Sequence, residues 1–454
     1  MARVLRSRRP GSVVAAPAVE VGPVSAVRPA RPPTWDLLLG CVAVYLATSI
    51  GRVHQLFPVL AVFKPALLAS VLAVGLYLLQ QSGRRRMGLL RSPMTTCLLS
   101  LLAWSAVAAP FALNQGVAFQ FWTDFARTVL MALVIAGSVR GARDLTRLIF
   151  VYAGVTVLYT AVVLSRFQLS ADSWRLGRLY NYDANDLATL IASAMPLALY
   201  LILGQRRLAV RVLAIAGLAV LLVGMIRSGS RGGFIALLAV IAFVLVGFTM
   251  ISVRARVAGL AAILTVVFAA SNDRYWTQMQ TILNPHEDYN LTSDAGRIKI
   301  WERGIGYMMA HPVVGVGGQN FAVAEGTISP LARLAERGIG VRWGAAHNTF
   351  IQVGAELGVP GLLLFVGLIA TAFRSLRRVT RQSSRAGAGS ADADLPRLAQ
   401  ALMAALIGFV VGSFFLSLAY SDILYTLLAF CIALAKIARD ANTQQASLPR
   451  GARI

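Results

Sequence analysis

Twelve apolar runs, most of them separated by short arginine-bearing segments, limit this chain to a fold whose solvent is lipid. A helix needs about 17–25 apolar residues to cross a bilayer. Such runs lie near 35–51, 57–80, 94–112, 120–138, 145–165, 187–204, 208–226, 232–251, 256–270, 346–373, 398–418 and 420–437. The first and ninth are short enough to tilt or re-enter. Only 14% of the 454 residues are charged, against roughly 25% in soluble domains. The fold class expected is therefore all-α and polytopic, with about twelve transmembrane helices. A formal net charge of +24 does not redirect the reading toward nucleic acid, because the charge sits in short clusters between the runs. Topology requires it there, so membrane lipids are expected partners and nucleic acid is not. Cys41, Cys97 and Cys431 all fall inside apolar runs without a CxxC, and read as small buried hydrophobes.

Orientation follows from alternate loops. One set carries Arg84, Arg85, Arg86 and Arg91, then Arg140, Arg143 and Arg147, then Arg206, Arg207 and Arg211, then Arg254 and Arg256. It continues with Arg374, Arg377, Arg378, Arg381, Arg385 and Arg397, and includes both tails. The positive-inside rule then predicts that both termini are cytoplasmic. Residues 1–34 read as a disordered basic tail without a cleavable signal peptide, and 438–454 as a second tail. Between them come helices one to nine (35–270), an extracytoplasmic insert (271–345) and helices ten to twelve (346–437), with a cytoplasmic linker at 374–397. The insert is expected to be irregular with one or two helices. Helical spacing at Ile298, Trp301, Ile305, Met308 and Met309 predicts one over Ala295 to Ala310, ended by His311-Pro312, with a turn at Gly315 to Gly318.

Arginines on the outer face run against that charge bias: Arg175, Arg178, Arg227, Arg231 and Arg297. A guanidinium grips phosphate oxygens in bidentate fashion, so such a cluster suits a lipid-linked diphosphate. Arg175 and Arg227 read more simply as partners of acids or lipid headgroups. Arg227 and Arg231 would share a helical face if the helix ran through Ser228-Gly229-Ser230. Arg178 lies in Gly177-Arg178-Leu179-Tyr180-Asn181-Tyr182-Asp183-Ala184-Asn185-Asp186, ahead of an apolar helix. There Asn185 or Asp186 is the expected N-cap, and the helix N-terminus favours an anion.

His347, with Asn348 beside it, stands where the polar insert meets a membrane helix. There a titratable side chain can exchange protons with water while facing a lipid-borne substrate. Glu356 follows nine residues later, which on an ideal helix sets it on roughly the opposite side. It is not expected to orient His347 directly, although an acid in a membrane helix is usually functional or paired. Gly358-Val359-Pro360-Gly361 comes next.

Taken in order over residues 170 to 370, these segments resemble the O-antigen ligase and polymerase superfamily. The resemblance is carried by Gly177-Arg178 through Ala188, Ser230-Arg231-Gly232-Gly233, Gly296-Arg297 to Trp301, His311-Pro312 to Gly317, and His347-Asn348 with its GxxG. It implies a GT-C-type, metal-independent, inverting membrane glycosyltransferase with no cofactor. The implied donor is a glycan on undecaprenyl diphosphate, and the implied acceptor a hydroxyl of lipid A-core or of a growing polysaccharide. Carried over, His347 would be the general base and Arg231, Arg297 and Arg178 would hold the diphosphate, with Asn348, Asn185 and Glu356 in support. Polysaccharide-repeat polymerisation and protein O-glycosylation use the same chemistry. A lipid-linked glycan flippase is the alternative of another class, with Asp124 and Arg127, three residues apart, and Glu356 as its candidate intramembrane charges.

Overall fold

The structure, a computed structural model, describes residues 35–80, 88–89, 91–166, 174–176, 182–204, 207–248, 251–284, 296–332, 334, 344–383 and 394–447. Among these the architecture is all-α: α1 Leu37–Ser49, α2 Val53–Leu56, α3 Pro65–Gln80, α4 Pro93–Ala108, α5 Gln115–Ser138, α6 Ala142–Arg166, α7 Ala184–Gly204 and α8 Leu208–Ser228. There follow α9 Arg231–Gly247, α10 Val253–Ala270, α11 Asp273–Gln280, α12 Arg297–Ala310, α13 Phe321–Thr327, α14 Thr349–Ser383, α15 Leu395–Ser413 and α16 Asp422–Ser447. Each apolar run contains a helix. Among the described residues eight helices are long and apolar enough to cross a membrane: α4 with the turn after it, α5, α6, α7, α8, α10, α14 and α15. The expected twelve spans thus reduce to eight by this measure. Helices α1, α3 and α9 are apolar but shorter, at 13, 16 and 17 residues.

The core forms around α7, buried over most of its length and packed against α6, α8, α9 and α15. Helix α16 is buried continuously from Ile423 to Leu434 and rests on α5, α14 and α15. At the other extreme, α10 buries only Val267. Leu79, Val246, Leu208 and Phe268 are all more than half exposed. Large apolar side chains in that position are stable only against lipid, since hydrocarbon is the one solvent in which they cost nothing.

Polar caps start many helices, as a low-dielectric surround requires for the free N–H groups of a first turn. Asp36 accepts from Leu39 N–H at 2.8 Å and Asn114 from Val117 N–H at 3.1 Å. At the far end of α5, the Lys436 ammonium donates to the carbonyls of Ala136, Gly137 and Val139, the last at 2.6 Å. Asp124 and Arg127 pair with each other at 2.7 Å on an exposed face of α5.

The insert holds three described helices, α11 to α13, rather than one or two. Helix α12 covers the expected stretch and ends at His311 as its C-cap. It is tied to α13 by Arg303, which donates to both carboxylate oxygens of Glu325 from Nε (2.8 and 3.1 Å) and to Oε2 from Nη2 at 2.6 Å. The Tyr307 hydroxyl donates to Glu325 Oε1 at 2.7 Å. Burial first, then that hydrogen bond and the carboxylate charge, hold the Tyr307 phenol well above its usual pKa. Glu325 is 2% exposed, and a hydrogen bond to a buried charge contributes roughly 1.5–3 kcal/mol. Tyr307→Phe is therefore expected to lower the unfolding free energy by about 2 kcal/mol, measured by denaturant unfolding in mixed micelles.

Candidate active site

Helix α14 is not continuous. Gly358 has φ 68° and ψ −172°, which breaks the helix inside the GxxG segment. Pro360 has no N–H to offer the Glu356 carbonyl four residues back. The carbonyls freed by the break find other donors: Val316 N–H reaches Ala355 O at 2.8 Å, Gly317 N–H reaches Glu356 O at 2.9 Å, and Trp104 Nε1 reaches Leu357 O at 2.9 Å. In return Val359 N–H donates to Pro312 O at 2.8 Å. The His311-to-Gly318 segment is thus a loop keyed into the break. Its glycine at 315 has φ 70°, and a Cβ there would lie 2.4 Å from the Glu356 carbonyl carbon. Asn320, fully buried, fastens the loop to α5: its Oδ1 accepts from Asn114 N–H at 2.8 Å and its Nδ2 donates to Gly318 O at 2.9 Å.

His347 sits just before this helix in the left-handed region, φ 48°. A non-glycine residue adopts that conformation only where its surroundings hold it. Its N–H donates to Ser417 Oγ at 2.9 Å. Asn348 is the N-cap, its Oδ1 accepting from Phe350 and Ile351 N–H at 2.9 and 3.0 Å. Thr349 Oγ1 donates to Leu416 O at 2.9 Å and accepts from Leu418 N–H at 3.1 Å. The loop after α15 therefore holds the histidine from one side while Asn348 orders the helix behind it. Because His347 precedes the helix, ideal-helix geometry does not relate it to Glu356.

The same loop forms a wall of a polar cavity of about 100 Å³ lined by Arg175, Arg231 and Arg297 together with Asn185, Ser230, Gln278, Phe415 and Leu416. No acid lines it. Arg231 opens α9, and Ser230 caps that helix by accepting from Gly233 N–H at 3.1 Å. The Arg231 guanidinium donates to Thr281 Oγ1 at 2.8 Å. Arg297 opens α12. Arg175 donates to Ser228 O at 2.7 Å and to Asn185 Oδ1 at 2.9 Å. Helix N-termini and guanidinium groups both favour an anion in such a cavity.

Several expectations change here. The helix before Gly229 does not continue: α8 stops at Ser228, Gly229 takes φ 56°, and α9 begins anew, so Arg227 and Arg231 share no helical face. Arg227 O accepts from Leu176 N–H at 2.9 Å. The cap of α7 is Asp183, whose Oδ1 accepts from Asn185 and Asp186 N–H at 2.7 and 2.8 Å; Asn185 is released to the cavity. Arg175, read as a partner of acids or headgroups, lines that cavity instead. Arg178 lies outside the described residues. Glu356 is 1% exposed and does not line the cavity. It stands beside Gln352, Tyr420 and the backbone of Gln319 and Phe321, while its Oε2 and the Tyr420 hydroxyl complete no hydrogen bond of good geometry among the described residues.

Arg231, Arg297, the keyed loop, His347 and the break at Gly358 all lie within or close beside one stretch of known type. Residues 216–366 match the family model described as O-Antigen ligase. Over this segment, a third of its length, the chain is similar to that family. The chain is also similar to the exopolysaccharide production protein ExoQ of Rhizobium meliloti (strain 1021), 41% identical over 80 residues. That match covers 17% of this chain and 18% of the relative.

Proposed function

We propose that the protein is a metal-independent inverting glycosyltransferase that moves a glycan from undecaprenyl diphosphate to an acceptor hydroxyl on the extracytoplasmic face of the bacterial inner membrane. The observation that carries this reading is that the loop after α15 both lines the arginine cavity, through Phe415 and Leu416, and seats His347, through Ser417. The cavity suits an anionic group rather than a whole lipid-linked glycan, since pockets for drug-sized ligands run to roughly 300–1,000 Å³. The diphosphate binds there, with the lipid and the sugars outside it.

His347 takes the proton from the acceptor hydroxyl as that oxygen attacks the anomeric carbon. The bond from that carbon to the diphosphate oxygen breaks, and Arg231, Arg297 and Arg178 stabilise the charge gathering on the leaving group. Asn348 and Asn185 act by position, one ordering the histidine helix and the other holding Arg175. Arg231→Ala and Arg297→Ala are each expected to lower kcat/KM for the lipid-linked donor roughly 10- to 100-fold, the worth of one charge-assisted hydrogen bond pair. Lysine at either position restores charge but not the fork, and should recover only part of the loss. Unchanged saturation and rate in the alanine variants would remove these residues from the donor site.

The first acceptor proposed is lipid A-core. The name of the ExoQ relative concerns exopolysaccharide production, which favours a second reading in which the acceptor is another lipid-linked glycan. Product analysis separates them: a single core-linked species indicates a ligase and a ladder of repeat lengths a polymerase.

A further inference from the structure

At the end of α14 remote from His347, four arginines converge on one cavity of about 480 Å³: Arg91 ahead of α4, Arg374 and Arg378 one turn apart on α14, and Arg439 on α16. No acid lines it, and none of the four pairs with a carboxylate among the described residues. Three other arginines at this end are paired with acids. Arg140 bonds Asp36 at 2.7 Å and Asp144 at 2.9 Å, Arg147 bonds Asp144 at 3.2 Å, and Arg397 reaches Asp394 at 3.5 Å. Topology explains why arginines occur on this face; it does not explain four uncompensated ones around a single hollow.

A second observation points to a ligand. Ser92, 2% exposed, lines the same cavity as the N-cap residue of α4, yet its side chain makes no capping hydrogen bond. The first turn of α4 thus presents uncapped N–H groups and a buried hydroxyl beside four guanidinium groups, an arrangement that favours a phosphate. The cavity also lies at the edge of the apolar zone. The span of α4 starts at Pro93 and that of α14 ends at Arg381, and Val379 and Ala435 give the hollow apolar walls.

We propose that this cavity binds the phosphate of an anionic phospholipid from the leaflet at the arginine-rich end, with the acyl chains against α4 and α14. The site is separate from the transfer chemistry and does not rest on it. The test uses the full chain in zwitterionic detergent with cardiolipin or phosphatidylglycerol added, reading retained lipid by native mass spectrometry. Arg374→Gln with Arg378→Gln is expected to weaken lipid binding at least tenfold, with Arg378→Gln alone showing a smaller loss in the same direction. Arg377→Gln with Arg381→Gln removes the same charge from the same helix end outside the cavity, and should bind as wild type. Equal losses in both pairs, or displacement of the lipid by millimolar inorganic phosphate, would overturn the proposal.

Discussion

Gly358→Ala is expected to lower the unfolding free energy by roughly 4 kcal/mol and to abolish transfer along with it. The backbone there has φ 68° and ψ −172°, an essentially glycine-only region that costs an L-residue roughly 1–3 kcal/mol. The larger part is steric. A Cβ would lie 2.3 Å from the Val313 carbonyl oxygen and 2.7 Å from that of Pro312. Those are backbone atoms of the keyed loop, so no rotamer change relieves the overlap and the loop itself must withdraw. Withdrawal breaks the hydrogen bonds of Val316, Gly317 and Val359 across the junction, each contributing roughly 0.5–1.5 kcal/mol. It also frees two carbonyls in the middle of a membrane helix, where water does not replace the lost donors. Unfolding in mixed micelles measures the effect. A variant as stable as wild type would mean that the break and the loop are not coupled.

The positions of the spanning helices were legible because hydropathy records solvent directly. The run at 208–226 became α8, Leu208–Ser228, and the run at 145–165 became α6, Ala142–Arg166. The helix before His311-Pro312 was equally plain from its spacing and its stop. The break at Gly358 was not legible as a break. Gly-Val-Pro-Gly reads as four more apolar residues in a span, and its meaning lies in the loop that fills it, about 45 residues earlier in the chain. The anion site was legible in part. Arg231 and Arg297 stood out by charge on the wrong face, but Arg175 had the same charge signal and an equally good explanation in lipid headgroups. What separates it is the contact with Asn185, which depends on Asp183 rather than Asn185 capping α7. A two-residue shift in a cap decides which side chain is free, and sequence patterns locate helix ends less sharply than that. The seat of His347 depends on Ser417, 70 residues away, a pairing that no local pattern carries.

The most direct test of the account is single-turnover transfer by the purified full chain in lipid nanodiscs, with an undecaprenyl-diphosphate-linked glycan as donor. In the proposed reaction His347, held at φ 48° and anchored through its N–H on Ser417 in the loop that also lines the arginine cavity, supplies the base. General-base catalysis contributes typically 10²- to 10⁴-fold. His347→Ala is therefore expected to lower the transfer rate by roughly 10³-fold while leaving donor binding, set by the arginines, within about threefold of wild type. Transfer at the wild-type rate by His347→Ala would contradict the account.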